Sequence, residues 1–136
     1  MRRVFADTFY WVALINPRDS AHAQVAGFTL STQPAVVVTT EEVLTEVLNF
    51  FAEYEGGARG RAAQVIELIL ERPDVRVLPQ STSSFRDGLD LYAARLDKGY
   101  SLTNCIPMAA MRREGLREVL TEDYHFTQEG FTALFL

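Results

Sequence analysis

The stretch Pro34-Ala35-Val36-Val37-Val38-Thr39-Thr40-Glu41-Glu42-Val43-Leu44 decides the fold. Its apolar run, Pro34 to Val38, lacks polar alternation, as a strand covered on both faces of a parallel sheet requires. Thr39-Thr40-Glu41-Glu42 then opens a helix, with Thr39 and Glu42 at capping-box spacing. Val43, Leu44, Val47, Leu48 and Phe51 fall on one stripe of that helix, its expected core face.

The same alternation extends in both directions. Upstream, Arg3-Val4-Phe5-Ala6 reads as a strand that stops at Asp7-Thr8, a helix cap. A helical stretch follows, broken at Asn16-Pro17-Arg18-Asp19-Ser20, and a second runs from Ala21 to Leu30. Downstream, Glu55-Gly56-Gly57 ends one helix, and another spans Ala58 to Glu71 with Val65, Ile66, Ile69 and Leu70 inward. Val75 to Leu78 is a third strand. Ser81 to Ser84 cap a helix whose expected inner face is Phe85, Leu89, Tyr92, Ala93 and Leu96. The next helix starts near Ser101 to Thr103 and ends at Gly115. Strands at Glu118–Thr121 and Thr132–Phe135 flank a short helix near His125. This order predicts an α/β sandwich around a mostly parallel sheet, as one domain over residues 1–136.

Composition narrows the function classes. The chain has 136 residues, 13 Lys plus Arg against 18 Asp plus Glu, a net charge of -5, and 48% hydrophobic residues. An acidic total argues against coating nucleic acid by bulk positive charge, though not against an enzyme that meets phosphates through a metal. One cysteine, Cys105, cannot form an internal disulfide, and with two histidines it cannot build a zinc framework, so a reducing cytoplasmic compartment is expected. The run Phe9 to Ile15 follows Arg2-Arg3, and Ala21-His22-Ala23 imitates a leader cleavage site. Asp7 interrupts that arrangement and the run is far short of a bilayer span, so it belongs to the first strand and helix, with no membrane partner.

In such a sheet, ligands gather beyond the carboxyl ends of the strands. Asp7 follows the first strand directly, Asp123 follows the Val119-Leu120-Thr121 strand, and Glu46 borders the apolar stripe of the helix after the second strand. Carboxylates converging there repel by about 4 kcal/mol per pair at about 4 Å and an effective dielectric near 20. A divalent cation removes the conflict, and an all-oxygen donor set favours Mg²⁺ or Mn²⁺. Spacing alone is weak, since with 18 acidic residues a solvated carboxylate is the default for any one of them.

Four segments sharpen the reading: Phe5-Ala6-Asp7-Thr8, Thr39 to Val47, Tyr100 to Ile106 and Leu120 to Phe126. Together, in order, they resemble PIN-domain ribonucleases, above all the VapC-like toxins of bacterial toxin–antitoxin pairs. The resemblance implies a three-layer α/β/α sandwich with a five-stranded sheet in the order 3-2-1-4-5. It also implies an Mg²⁺- or Mn²⁺-dependent endoribonuclease that hydrolyses RNA, an antitoxin partner and a homodimer. Asp7, Glu46 and Asp123 match three of the family's four metal-site acids, with Thr8, Thr103 and Thr121 as supporting hydroxyls. The fourth does not match. The family reads Ser-Leu-Thr-Asp-Cys where this chain has Asn104, which keeps the shape but loses a charge, so metal affinity and water activation should fall. Either this is a weakened or inactive natural member, or the change was introduced to disarm a toxic nuclease. Pro107 is a smaller departure, expected to be neutral early in a helix.

Bland readings compete at every other position. Asp90 and Asp97 are substitutes for the missing acid only if they leave solvent. Capping alone explains threonines at strand ends and helix starts. His125 suits packing or a cap better than acid–base work, and Cys105 has no neighbouring histidine to activate it. Twelve of the thirteen basic residues are arginine; Arg86, Arg95, Arg112, Arg113 and Arg117 would guide RNA if clustered, and are ordinary surface charge if scattered. Tyr10, Trp11, Leu14 and Ile15 are either core or part of the antitoxin groove that the family implies. Two rivals stand beside the nuclease: a degenerate domain that binds RNA or antitoxin without cutting, and a phosphatase of unrelated α/β fold.

Overall fold

The computed structural model describes residues 1–31 and 35–136. Five strands, β1 (Arg2–Ala6), β2 (Ala35–Thr40), β3 (Val75–Leu78), β4 (Glu118–Leu120) and β5 (Thr132–Ala133), form one sheet in the order β3-β2-β1-β4-β5. Every neighbouring pair is parallel, with Val4 beside Val37, Phe5 beside both Val38 and Val119, and Ala6 beside Leu120. This is the expected strand order. Pro34, placed at the start of the second strand by its sequence, lies outside the described residues.

Helices α1 (Thr8–Ile15), α2 (His22–Ser31), α3 (Glu41–Phe50), α4 (Ala58–Glu71), α5 (Thr82–Ala94), α6 (Leu102–Arg113) and α7 (Tyr124–Gln128) connect the strands. The central strands carry fully buried Val4, Phe5, Val38, Val119 and Leu120, covered from the helices by Val47, Phe51, Met108, Met111 and Phe126. Among the described residues, no helix is long and apolar enough to cross a membrane.

Several local expectations shift by one residue, each for a visible reason. Thr39 does not cap α3. It is buried in β2, donates its hydroxyl to the Ala6 carbonyl at 2.9 Å and accepts from the Trp11 indole N–H at 3.3 Å. Thr40 caps instead, accepting from Val43 N at 3.1 Å, and Glu42 is released from the expected capping box. Leu48 and Leu70 face solvent while Val43, Leu44, Val47, Ile66 and Ile69 hold the core. Tyr10, Trp11 and Ile15 are buried, which resolves them as core rather than as an exposed groove. A helix apolar all round, as α1 is, belongs inside.

The largest correction is α5. Phe85 (50% exposed), Tyr92 (47%) and Leu96 (85%) face out, and the buried positions are Ser84 and Gly88. Gly88 explains the rotation. A Cβ there would stand 2.4 Å from Ile106 Cγ1 and 3.1 Å from Ile106 Cα, so α5 and α6 meet almost backbone to backbone. Ser84 adds a second inward anchor, donating to the Glu42 carboxylate at 2.6 Å. Pro107 is likewise deeper in α6 than expected. It lies beyond the first turn and removes the N–H that the Thr103 carbonyl would otherwise receive.

An ion network centred on the buried Glu129 ties α5 and α6 to the α7–β5 turn. The Arg95 guanidinium grips the Glu129 carboxylate at 2.8 and 2.9 Å, while Arg112 reaches one carboxylate oxygen at 2.5 Å and the Glu129 carbonyl at 2.8 Å. Burial pushes the Glu129 carboxyl up, but the two guanidiniums outweigh that and hold it below its usual value.

Candidate metal and nuclease site

The parallel sheet brings Asp7 and Asp123 to one edge. Asp7 follows β1 at the N-cap position of α1, with extended backbone (φ -87°, ψ 172°), yet its side chain makes no capping bond into the helix. Its carboxylate accepts from the Thr121 hydroxyl at 3.1 Å. That same Thr121 oxygen accepts the Asp123 backbone N–H at 3.2 Å, so one buried hydroxyl ties the ends of β1 and β4 together. Burial pushes the Asp7 carboxyl up to about 6. The Thr8 amide and the Thr121 hydroxyl pull it down, whereas the charges of Glu46 and Asp123 add to the rise. That coupling shows three acids sharing one field.

Glu46 arrives from α3 and accepts a hydrogen bond from the Thr8 hydroxyl, on the residue next to Asp7. Asp123 splits its two oxygens. Oδ1 caps α7 by accepting from His125 N at 2.9 Å and lies 3.1 Å from His125 Nδ1. Oδ2 accepts from the Asn104 side-chain amide at 3.1 Å.

Asn104 therefore stands at the acids, where its motif places it. Ser101 caps α6, accepting from Asn104 N, while the Asn104 carbonyl oxygen accepts from Ser101 N at 3.2 Å and from its hydroxyl at 3.1 Å. With its oxygen occupied by these donors, the amide NH₂ is left to face Asp123. An aspartate in the same pose would set a second negative charge against Asp123. The amide avoids that repulsion by donating a hydrogen bond instead.

Of the three predicted hydroxyls, Thr8 and Thr121 touch the acids directly. Thr103 bonds to the Ser101 hydroxyl at 2.8 Å and lines, with Glu42, Glu46 and Pro107, a cleft of about 30 Å³. Glu42 is the neighbour that sequence reasoning assigned to a cap. It sits one turn before Glu46 on α3, and that i, i+4 spacing was the available signal.

The competing candidates resolve as surface or core. Asp90 pairs with Arg86 at 3.2 Å and Asp97 with Lys98 at 3.3 Å, both in solvent. Cys105 is fully buried and burial raises its thiol pKa, the opposite of an activated nucleophile. Arg95 and Arg112 are locked on Glu129, and Arg113 on Asp87 at 3.0 Å, so these three do not form an open basic track.

The donor chemistry suits a hard divalent ion: carboxylates only, one of them buried and electrostatically coupled to the others. Among the described residues, no group of three or more Asp, Glu, His or Cys side chains is gathered tightly enough to hold a metal as it stands. Thr8 and Asn104 hold Glu46 and Asp123 in hydrogen bonds instead.

A parallel sheet in this order, with acids at the ends of β1 and β4, defines a known class. The PIN domain family matches residues 4–131, and the chain belongs to that family. The phosphatase reading, which needed an unrelated fold, ends here. The chain is 27% identical over 128 residues to the 23S rRNA-specific endonuclease VapC20 of Mycobacterium tuberculosis, covering 94% of this chain and 95% of that one. The crystal structure of that sarcin–ricin loop cleaving toxin superposes with a TM-score of 0.84 at 24% identity, over 96% of this chain and 98% of the other. FitAcB from Neisseria gonorrhoeae shares the fold at a TM-score of 0.67 and 17% identity, covering 98% and 96%. VapBC2 from Rickettsia felis, bound to a DNA fragment from its promoter, gives 0.69 and 13%, covering 96% of each chain.

Proposed function

We propose that this chain is a VapC-like endoribonuclease toxin whose acidic site takes Mg²⁺ or Mn²⁺ and whose activity Asn104 weakens or abolishes. The observation that carries the reading is the Thr121 bridge: a buried hydroxyl joins Asp7 to Asp123 across the carboxyl ends of β1 and β4, with Glu46 coupled to the same field. Likeness to VapC20 over 94% of the chain supports RNA as substrate and makes ribosomal RNA the first to try. An antitoxin partner is supported by the VapBC2 and FitAB assemblies that share the fold. The cytoplasm and a homodimer follow from the same toxin reading.

Asp7, Glu46 and Asp123 would hold the ion, with the Asn104 side chain beside them. A bound divalent ion supplies positive charge against the phosphodiester and lowers the pKa of a water for in-line attack. The protein's part is orientation. Thr121 fixes Asp7 relative to Asp123, Thr8 aims Glu46, and Asp7 must surrender the proton that burial favours before it can act as a ligand. Asn104 contributes an amide where a fourth charge would strengthen both ion binding and water activation.

One observation favours a second reading, a binding domain that no longer cuts: the Asn104 amide already satisfies Asp123 without an ion. Incubating an RNA pool with the protein and with its Asn104→Asp variant, with Mn²⁺ and with chelator, separates the two. Glu46→Gln in the variant background controls for contaminating nuclease. Cleavage by the Asn104→Asp variant that vanishes with chelator and with Glu46→Gln is the expected result. If no form cuts any RNA, the nuclease reading fails and the binding domain replaces it.

A further inference from the structure

A second feature adjoins the acids on the far side of His125. That imidazole lies 3.1 Å from Asp123 through Nδ1, and its Nε2 stands 3.6 Å from where a Cβ on Gly99 would be. Its ring packs edge-on against Tyr100 at 5.4 Å and beside Tyr124 at 4.5 Å. Beyond Gly99 opens a cavity of about 260 Å³, lined by Tyr92, Arg95, Leu96, Lys98, Gly99 and Tyr100. That volume is just under the roughly 300–1,000 Å³ of small-molecule sites. The Tyr100 hydroxyl, buried at this wall, feels the Glu129 charge but forms no well-aligned hydrogen bond.

The chemistry of the lining is specific. Tyr92 presents a half-exposed ring because the Gly88 contact turned α5 outward. Lys98 offers an ammonium paired at 3.3 Å with Asp97, a solvated neighbour. Tyr124, 56% exposed and immediately after Asp123, adds a second open aromatic face. Aromatic faces beside a cation are how proteins hold single-stranded nucleic acid without reading a duplex. A larger cavity of about 500 Å³ at Asn16, Arg18, Tyr54 and Arg61 sits at the other end of α1, about 12 Å along that eight-residue helix. It is remote from Asp7.

Building on the nuclease reading above, we infer that this cavity and the Tyr124 face form a subsite for a nucleotide of single-stranded RNA flanking the phosphate at Asp123. The base stacks on Tyr92 or Tyr124, and the Lys98 ammonium takes the adjoining phosphate. The rings are held in advance, Tyr124 by His125 and His125 by Tyr100, so little ordering remains for binding to impose.

The test is fluorescence anisotropy of a labelled single-stranded RNA oligonucleotide with the full chain in chelator, so that binding is read without turnover. Tyr124→Leu, Tyr92→Ala and Lys98→Ala are each expected to weaken binding roughly tenfold. Tyr124→Phe stays within about twofold of the parent, because stacking survives. Tyr54→Ala, at the remote cavity, leaves affinity unchanged, and thermal melts confirm that every variant is folded. The inference is overturned if all three subsite variants bind like the parent. It is equally overturned if Tyr92→Ala changes the sedimentation coefficient but not RNA affinity, which would make that face a contact between copies. The two readings fail separately: cleavage by Asn104→Asp that is indifferent to Tyr124→Leu sinks only the subsite. No RNA binding and no cleavage by any form sinks both.

Discussion

Replacing Asp7 by asparagine should stabilise the protein. The folded state raises the Asp7 carboxyl from 3.8 to about 6, chiefly by burial and further by the fields of Glu46 and Asp123. A rise of about 2 pH units corresponds to about 3 kcal/mol against the ionised form. The sign follows from proton counting. Between those two values the folded protein binds more protons than the unfolded one, so stability falls as pH rises and the penalty is complete above about pH 7. Asparagine carries no charge and keeps an oxygen for the Thr121 hydroxyl, so Asp7→Asn recovers most of the penalty. For a domain of this size that is a Tm gain of roughly 5–10 °C. The assay is thermal unfolding in chelator from pH 4 to pH 8, parent against variant. The expected curves draw together near pH 4, where Asp7 is protonated in the folded state and close to half protonated in the unfolded one, and separate with the variant above the parent toward pH 8. A variant less stable at pH 8, or an advantage just as large at pH 4, refutes the reasoning.

Other consequences are read in the same instruments. In chelator, Asn104→Asp should destabilise by about 1–2 kcal/mol in urea unfolding, because the amide donor to Asp123 becomes a second carboxylate, and Mn²⁺ should restore the loss. Thr121→Val removes the hydroxyl that serves both Asp7 and Asp123; it should cost about 1–3 kcal/mol by the same measurement and abolish any cleavage gained through Asn104→Asp. Glu129→Gln should cost about 2 kcal/mol near neutrality, and the difference should shrink as pH falls through the lowered Glu129 value, followed by thermal melts at several pH values.

Much of this was visible in the chain before any coordinates. The unbroken run ending at Val38 marked a strand covered on both faces, and β2 lies inside the sheet between β3 and β1 with Val38 fully buried. Asp7 and Asp123 each follow a strand of a parallel sheet, so their shared edge was legible from the residues, while the pairing of β1 with β4 was implied by the family resemblance alone. Asn104 stood out as one wrong residue in a recognised motif. What escaped were contacts between distant positions. Thr121 is bonded to a residue 114 positions away, and no periodicity reports such a pair. Apolar size does not report the inner face of α5, because the helix turns Ser84 and Gly88 inward. Close approach of two backbones at Gly88 outweighed burial of Phe85 and Tyr92. The α3 cap moved from Thr39 to Thr40 because a buried indole and a carbonyl on β1 had already claimed Thr39.

The Gly88 contact reaches further than packing. Helix α6 begins at Ser101 and Asn104, beside the acids, and rests along its body on a place where a side chain is missing. The placement of Asn104 beside the acids is thus inherited from a spot where two helices leave no room for a side chain. In a saturation scan scored by folded yield, position 88 would show up among the most intolerant sites, since any side chain there meets Ile106. A geneticist reading such a map would take position 88 for a working residue, although what is guarded there is clearance between two backbones.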